Sequence, residues 1–300
     1  MRGRRIDHFL LAVSRTCGHA SSDSVDDVSL AERIAEVNTD AKILTLDIET
    51  QRGVWESFAP KVDFLPAARC LVPPRILCAA GKWVGDDKVL FTHAWRDDDS
   101  DAMTKMLTTI HKWMSDADII ITYNGDRFDL QWCEQACSTV GLPRIKPYKS
   151  IDLIKLARRK FGQGLTYKSL DWSSRIYLRE SKLAHGGRDL WHDIRHGTRE
   201  QQREAQKTMR AYNIRDVELT ERLWLEVYLP YSPVNLGLYQ AHADDDELLA
   251  CTTCGTAGKL IRDGLTYTGA FGYQLYRCES CGGISRGKRA KVGTELRSVR

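Results

Sequence analysis

Short apolar runs alternate with segments of helical periodicity across residues 43–228. Apolar runs bounded by turn residues predict strands at 43–48, 76–83, 88–93 and 119–123. Apolar residues at i+3 and i+4 spacing, with helix start and stop signals, predict helices at 97–114, 128–140, 150–161, 167–178 and 198–228. A Gly-Asp-Asp turn joins the second and third strands into a hairpin. This order predicts an α/β fold with a mixed central sheet flanked by helices.

The chain divides by composition into four segments. An N-terminal extension, residues 1–40, mixes serine with charged residues and ends in a predicted short helix at 29–37. The α/β pattern occupies residues 41–235, a length that suits one domain. An acidic linker is predicted at 236–250. Residues 251–300 are a separate cysteine-rich segment with a basic tail.

Composition and apolar patterning indicate an ordinary globular protein. Charged residues make up 28% of the chain and hydrophobic residues 42%, as in most soluble domains. No apolar run approaches the roughly 20 residues of a membrane span, and Asp7 and His8 interrupt the short apolar stretch that resembles a secretion signal. Nine cysteines, four of them in CxxC pairs, favour bound metal in a reducing compartment. We therefore expect a cytoplasmic protein with no membrane partner.

The first predicted strand ends in two acids. Because side chains alternate along a strand, Asp47 and Glu49 share one face, and Leu44, Leu46 and Ile48 share the other. The two carboxylates therefore converge at the end of the strand, where they could bind a cation. A pair of solvated acids is the alternative.

A third acid follows the strand at 119–123. An Asn-Gly turn leads from this strand into a helix, and Asp129 falls in the first turn of that helix. The helix dipole favours a carboxylate at this position. The alternative is that Asp126 or Asp129 simply caps the helix.

The long predicted helix carries an acid within its apolar stripe. The stripe, at i+3 and i+4 spacing, comprises Met209, Tyr212, Asp216, Leu219, Leu223 and Val227. Asp216 therefore faces the core, where an ionised carboxylate is costly unless it is paired or bound to metal. Tyr212 lies one turn earlier on the same face. A buried salt bridge from Asp216 to an arginine is the alternative to a metal site.

These three segments together resemble the exonuclease motifs of the DEDD superfamily. The motifs are Asp-Ile-Glu at Asp47 and Glu49, Asn-x-x-x-Phe-Asp ending at Asp129, and Tyr-x-x-x-Asp at Tyr212 and Asp216, in the order of the family. The resemblance covers most of the α/β segment, which is similar to the exonuclease domain of family-B DNA polymerases. It implies an RNase H-like fold, and the tyrosine of the third motif implies the DEDDy subgroup.

The resemblance implies a 3′–5′ exonuclease that hydrolyses phosphodiester bonds, with single-stranded DNA as the expected substrate. Such enzymes use two divalent cations about 3.5–4 Å apart, and carboxylate ligands suit Mg²⁺ or Mn²⁺. By the resemblance, Asp47, Glu49, Asp129 and Asp216 hold the two cations. Tyr212 is expected to orient the attacking water.

The expected partner is the 3′ end of a single strand, and Asn124 is expected to help shape the groove that binds it. The acids contact the phosphate, whereas the 2′-hydroxyl of RNA is read by other residues. An RNA-processing exoribonuclease and a non-catalytic nucleic-acid-binding protein with the same fold therefore remain as alternatives. No polymerase domain fits in 300 residues, so proofreading would require a DNA polymerase or other replication or repair proteins as partners.

Two CxxC pairs predict a structural zinc site. Cys251 and Cys254 are separated from Cys278 and Cys281 by 23 residues, and a glycine follows each pair. One Zn²⁺ takes four thiolates in tetrahedral geometry, and the glycine eases the turn that points backbone amides at the sulfurs. The intervening residues read as a hairpin, so the segment resembles a zinc ribbon. A redox-active pair is the alternative.

The cysteine-rich segment is also basic. Residues 251–300 hold nine Lys and Arg against three Asp and Glu, while the rest of the chain carries a net charge of −2. A basic appendage on an acidic body indicates a module that binds a polyanion. Arg277, Arg286, Lys288 and Arg289, with neighbouring tyrosines, are predicted to contact single-stranded nucleic acid. A basic tail that docks a protein or aids solubility is the alternative.

Overall fold

The computed structural model describes residues 37, 39–58, 61, 63–162, 167–183, 188–239, 249–268 and 271–290. Apart from Val37, the predicted N-terminal helix lies outside the described residues. Most of the predicted acidic linker does so as well.

A five-stranded mixed sheet forms the centre of the α/β body. The strands of the described chain are, in order, β1 (Ile43–Gln51), β2 (Val54–Trp55), β3 (Cys70–Val72), β4 (Arg75–Trp83), β5 (Leu90–His93), β6 (Ile119–Thr122), β7 (Lys149–Asp152), β8 (Leu260–Tyr267), β9 (Gly272–Cys278) and β10 (Ile284–Arg289). The central sheet has the spatial order β5-β4-β1-β6-β7. β1 pairs antiparallel with β4 and parallel with β6, which confirms the predicted mixed sheet. β4 and β5 form the predicted hairpin.

Helices flank this sheet. Those in the described chain are α1 (Ser100–Asp116), α2 (Asp129–Thr139), α3 (Leu153–Phe161), α4 (Leu170–Tyr177), α5 (Arg188–His196) and α6 (Arg199–Leu223). α6 begins at the predicted capping box, in which the side chains of Thr198 and Gln201 each accept a hydrogen bond from the other residue's backbone N–H. None of the helices described is long and apolar enough to cross a membrane.

The central sheet has an apolar layer on each face. Leu44, Leu46 and Ile48 of β1 belong to the layer that packs against α1 and α2, as the alternation of the strand predicted. Each fully buried Leu or Ile of this layer contributes roughly 1.5–3 kcal/mol of stability. α6 packs across β1 and β4 on the opposite face. Asp47 and Glu49 therefore point toward α6.

The prediction of a helix from residue 150 is wrong. Lys149–Asp152 is strand β7, which pairs parallel with β6, and α3 begins only at Leu153. Oδ1 of Asp152 caps α3 by accepting a hydrogen bond from Ile154 N at 3.2 Å. Periodicity over four residues cannot separate a strand from the first turn of a helix. Pairing with β6 decides the outcome here.

Two further boundaries differ from expectation. The segment between β1 and β4, for which no strand was predicted, contains the short antiparallel pair of β2 and β3. The long helix ends at Leu223, and a π-turn at Trp224–Tyr228 and a 3₁₀ turn at Leu229–Tyr231 follow it. Pro230 lies in that last turn and lacks the N–H that a continuing helix would need.

The cysteine-rich segment folds into a second, three-stranded antiparallel sheet of order β10-β9-β8. β8 and β9 form the predicted hairpin. β10 was not predicted, because its residues were interpreted as a basic tail. Leu236 is buried against the body, and its N–H donates to Thr252 O at 2.9 Å. This contact joins the segment to the body.

Candidate active site

β1 and α6 bring three acids together. Asp47, Glu49 and Asp216 each offer one carboxylate oxygen, and these oxygens all lie within 4.8 Å of one another. The alternation of β1 turns the first two toward α6. The apolar stripe of α6 turns Asp216 inward, where only 2% of the residue is exposed.

Asp129 lies beside this cluster and is held by the backbone of β1. It is the first residue of α2, and its Oδ1 accepts a hydrogen bond from Ile48 N at 3.0 Å. Ile48 stands between Asp47 and Glu49 in the strand. The structure therefore brings three of the four predicted acids within 4.8 Å, and it anchors the fourth to the strand that carries two of them.

Burial and mutual repulsion raise the pKa values of the acids. Burial, followed by repulsion from the three neighbouring acids, raises the pKa of Asp47 well above its ordinary value. Burial and then Asp216 raise the pKa of Glu49 to about 8, and burial raises the pKa of Asp129 to about 7. Without added positive charge, these acids do not all ionise at neutral pH.

The donor set fits divalent cations that prefer hard ligands. The four side chains are all carboxylates, the ligands that Mg²⁺ and Mn²⁺ take in proteins. Burial and mutual repulsion raise the pKa values of Asp47, Glu49 and Asp129, and nearby positive charge would lower them. A bound divalent cation would be the largest local charge and would favour the ionised acids. The residues present therefore fit the cations that the exonuclease motifs imply.

Lys182 supplies one positive charge to the cluster and was missed by the sequence analysis. Its Nζ lies 2.5 Å from Oδ2 of Asp216 and 4.7 Å from the centre of the Tyr212 ring. Burial alone would lower the pKa of Lys182, but Asp216 raises it above the ordinary value. The buried salt bridge considered for Asp216 thus exists, with a lysine in place of an arginine. It coexists with the acid cluster.

Tyr212 lies one helical turn before Asp216 and faces the same cluster. Burial, followed by the nearby charge of Asp216, raises the pKa of its phenol to about 12. The hydroxyl therefore keeps its proton at neutral pH and can donate a hydrogen bond. The residue is 8% exposed, so its ring is largely packed.

Asn213 positions Asp47. Its Nδ2 donates to Oδ2 of Asp47 at 2.6 Å and to the backbone O of the same residue at 3.2 Å. Asn213 is fully buried on α6, so the helix and the strand hold this carboxylate together. In the sequence, the only indication of a role for Asn213 was its position next to Tyr212, on the helix that crosses the acids.

Asn124 lies in the turn between β6 and α2. It has a left-handed backbone (φ 72°), and its N–H donates to Oδ1 of Asp152 at 2.7 Å. Gly125 follows, where an added Cβ would lie 2.4 Å from the Thr122 side chain. These constraints fix the path of the chain toward Asp129. Asp152 therefore has a structural role in this turn, and a contact of Asn124 with nucleic acid stays a prediction.

An open cavity of about 1030 Å³ borders Tyr212 and Lys182. Glu180 lies on its wall and pairs with both Arg215 and Arg222. The volume is slightly above the range of about 300–1,000 Å³ for ligand sites. The cavity is therefore large enough for a nucleotide next to the acids.

The four cysteines of the CxxC pairs form a second candidate metal centre. Their sulfur atoms, on Cys251, Cys254, Cys278 and Cys281, all lie within 4.8 Å of one another. Two sulfur pairs are 3.7 Å apart, and a Zn–S distance of about 2.3 Å in a tetrahedron requires about 3.8 Å. The donor set and spacing therefore fit Zn²⁺.

Backbone geometry around these cysteines matches the turns that were predicted at the two CxxC pairs. The N–H of Thr253 points at Sγ of Cys251 at 3.3 Å, and the N–H of Gly283 points at Sγ of Cys281 at 3.4 Å. Gly255 and Gly282, which follow the pairs, have φ values of 82° and 69°. These conformations favour glycine, as the turn argument predicted.

The basic residues predicted to contact nucleic acid lie on β9 and β10. Arg277 pairs with Asp263 at 2.7 Å. Arg286 lies 4.6 Å from the centre of the Tyr273 ring, and Arg289 stacks on an aromatic ring in the same way. Lys288 is exposed. Cation and ring thus lie together on this sheet, and nucleic-acid contact at these residues stays a prediction.

Comparison with known families identifies the body of the chain. The RNase_H_2 family, of the RNase H superfamily, matches residues 75–228, just over half of the chain. The match begins with β4 and includes Asp129, Tyr212 and Asp216, whereas β1 with its two acids precedes it. A comparison with curated proteins finds no match.

Proposed function

The chain belongs to the RNase H superfamily, and from that premise we propose that it is a metal-dependent 3′–5′ exonuclease of the DEDDy type. The proposed substrate is the 3′ end of single-stranded DNA. One observation carries the proposal, namely that oxygens of Asp47, Glu49 and Asp216 lie within 4.8 Å of one another. Stability does not explain this cluster, because buried like charges destabilise a fold.

Asp47, Glu49, Asp129 and Asp216 would hold two Mg²⁺ or Mn²⁺ ions. Such ions, when bound, neutralise the phosphate, lower the pKa of the attacking water and stabilise the leaving oxygen. The protein's own contribution is to hold the carboxylates in place. Asn213 fixes Asp47 from α6, and the backbone N–H of Ile48 fixes Asp129 from β1.

Tyr212 would orient the water that attacks the phosphate. Its hydroxyl keeps its proton, since the pKa is about 12, and a protonated hydroxyl can hold a water molecule by donating to its oxygen. Lys182 would place a positive charge near the phosphate as negative charge develops there. The cavity beside these two residues would receive the terminal nucleotide.

A 5′-labelled single strand tests the proposal directly. Wild-type protein with Mg²⁺ or Mn²⁺ should shorten a DNA strand from its 3′ end, and EDTA should stop the reaction. Asp216→Asn should lose the activity, whereas Glu218→Gln, on the same helix but with a 41% exposed side chain, should keep it. Absence of shortening with either cation would refute the proposal. If the matching RNA is shortened faster than the DNA, the proposed substrate becomes RNA.

The cysteine centre would hold one structural Zn²⁺ and present the basic face of the small sheet to nucleic acid. This role is separate from hydrolysis, because a site closed by four thiolates leaves no position for water or substrate. Another enzyme, such as a DNA polymerase, would supply the 3′ end. This is the only role that the proposal gives to a protein partner.

A further inference from the structure

A second surface with nucleic-acid chemistry lies at the edge of the central sheet. It is an open cavity of about 390 Å³ between β5, the outermost strand, and α6. Three aromatic and three cationic side chains line it: Phe91, His93, Trp95, Arg203, Lys207 and Arg210. We call it the β5–α6 pocket.

The β5–α6 pocket is separate from the acid cluster. Arg210 and Tyr212 are two residues apart on α6, which corresponds to about 200° around a helix. Arg210 therefore points away from the face that carries the acids. In the sheet, His93 stands two strands away from Glu49 in register, or about 10 Å at the usual strand spacing.

Among the residues that the structure describes, the cations of the pocket have no acidic partners. Arg203, Lys207 and Arg210 are exposed on one side of α6 and span about 10 Å along its axis. Within the described chain, no carboxylate lies within salt-bridge distance of any of the three. By contrast, Arg195 and Arg215 pair with acids. Like charges at this helical spacing repel, so an anion that bridges them would be favoured.

The aromatic side chains offer flat surfaces beside these cations. His93 and Trp95 are stacked, with ring centres 4.7 Å apart and an angle of 18° between the planes. Arg210 lies 5.3 Å from the centre of the Phe91 ring. Burial and then Arg210 lower the pKa of His93, which keeps its ring neutral and suited to stacking at neutral pH.

We propose that the β5–α6 pocket is a second nucleic-acid-binding site, which grips a single strand away from the acid cluster. Single strands are bound by aromatic rings that stack on bases and by cations that contact phosphates, and both groups are present here. An acidic protein segment would use the cations but would leave the stacked pair of His93 and Trp95 without a role. The proposal concerns binding and does not depend on hydrolysis.

The first test removes two cations and uses a charge-matched control. Lys207→Gln with Arg210→Gln is compared with Lys105→Gln and Arg144→Gln, two exposed cations on the other side of the sheet that have no ion pair in the described chain. Binding of a labelled single strand is measured by fluorescence anisotropy in EDTA across a salt series. The pocket variant should bind roughly 10-fold more weakly. The slope of its log binding constant against log salt concentration, the salt slope, should be shallower by about 1.4, because two phosphate contacts are lost. The control should stay within about 2-fold of wild type on the same electrostatic grounds.

The second test addresses stacking. His93→Ala should weaken binding about 5-fold, as loss of one stacked base does, and should leave the salt slope unchanged. A strand with 5-iodouracil should photo-cross-link to the peptide that contains Phe91–Trp95. Thermal melting in EDTA confirms that each variant is folded.

Three results would overturn the proposal. The first is equal affinity and equal salt slope for the pocket variant and its charge-matched control. The second is cross-linking that leaves residues 91–95 unlabelled. The third is loss of polyglutamate binding in the pocket variant while oligonucleotide binding is unchanged, which would assign the pocket to an acidic protein. Because EDTA prevents hydrolysis, failure of the proposed exonuclease activity leaves all three readouts intact.

Discussion

Nζ of Lys182 lies 2.5 Å from Oδ2 of Asp216. This contact places one lysine against the cluster of Asp47, Glu49 and Asp216, to which it contributes a single positive charge. One charge does not balance the cluster, as the raised pKa values of Asp47 and Glu49 indicate. The site is therefore expected to be electrostatically incomplete until divalent cations bind.

Removing this lysine should make stability depend more strongly on metal. In EDTA, Lys182→Met should lose about 1–3 kcal/mol, less than the 3–5 kcal/mol of a fully buried pair, because the lysine side chain is 24% exposed. Adding Mn²⁺ should then raise the melting temperature by more than in wild type. Scanning fluorimetry measures both shifts. The control is Lys155→Met, which breaks an ion pair with a 58% exposed lysine. An equal rise in melting temperature with Mn²⁺ in both variants would show that Lys182 does not stabilise the acid cluster.

Neutralising one acid should trade activity for stability. Glu49→Gln removes a group whose pKa is raised to about 8 by burial and by Asp216. Hydrolysis should fall by about 10²–10³-fold or more, as for other groups that stabilise transition-state charge. In EDTA at pH 9 the melting temperature should rise, since repulsion is reduced. Glu56→Gln alters an exposed acid and should change neither quantity.

The stability of the metal-free protein should fall as pH rises. The folded state keeps the proton of Glu49 up to about pH 8, whereas the unfolded chain releases it near the ordinary value of 4.5. The folded state therefore binds more protons across this window, so the free energy of unfolding decreases from about pH 4.5 to about pH 8. Urea titrations in EDTA measure the slope. Glu49→Gln should flatten it, and a rising free energy of unfolding over the same window would contradict the assignment.

Loss of the Tyr212 hydroxyl should slow turnover without loosening the fold. Tyr212→Phe keeps the packed ring but removes the donor to the attacking water, so kcat should fall by roughly 10²-fold. KM and the melting temperature should stay close to wild type. Tyr231→Phe, at a 41% exposed residue, is the matched control. Unchanged kcat in Tyr212→Phe would leave this tyrosine with a packing role.

The cysteine centre should carry one zinc per chain. Cys278→Ser with Cys281→Ser removes two of the four thiolates and should abolish stoichiometric zinc in metal analysis of the purified protein. Cys70→Ser, at a half-buried cysteine outside the cluster, should keep it. Wild-type protein without zinc, purified in the absence of chelator, would argue for a redox role.

Periodicity was sufficient to predict which way the acids on regular elements point. The alternation of β1 placed Asp47 and Glu49 on one face, and the stripe of α6 placed Asp216 inside, as the structure shows. The RNase H-like fold inferred from the motifs is confirmed by the family match. Lys182 could not be predicted, because its loop has no period. Asp171 holds that loop by accepting a hydrogen bond from Lys182 N at 3.1 Å, a contact visible only in three dimensions.

Short strands were the main failures. β7 was mistaken for the start of a helix, since four residues carry too little pattern. β10 was hidden by its basic composition and by Gly287, where an added Cβ would lie 2.5 Å from the Tyr276 ring. In both cases the partner strand, which sequence periodicity does not report, determines the structure.

The hydrogen bond from Ile48 N to Asp129 links positions 81 residues apart and exists only when β1 is in its native register. A slip of one residue would turn Asp47 and Glu49 to the opposite face of the sheet. Contacts between positions so distant in sequence form slowly during folding. A newly made or partly folded chain therefore has no assembled acid cluster. It is expected to lack the proposed nuclease activity until the sheet is complete.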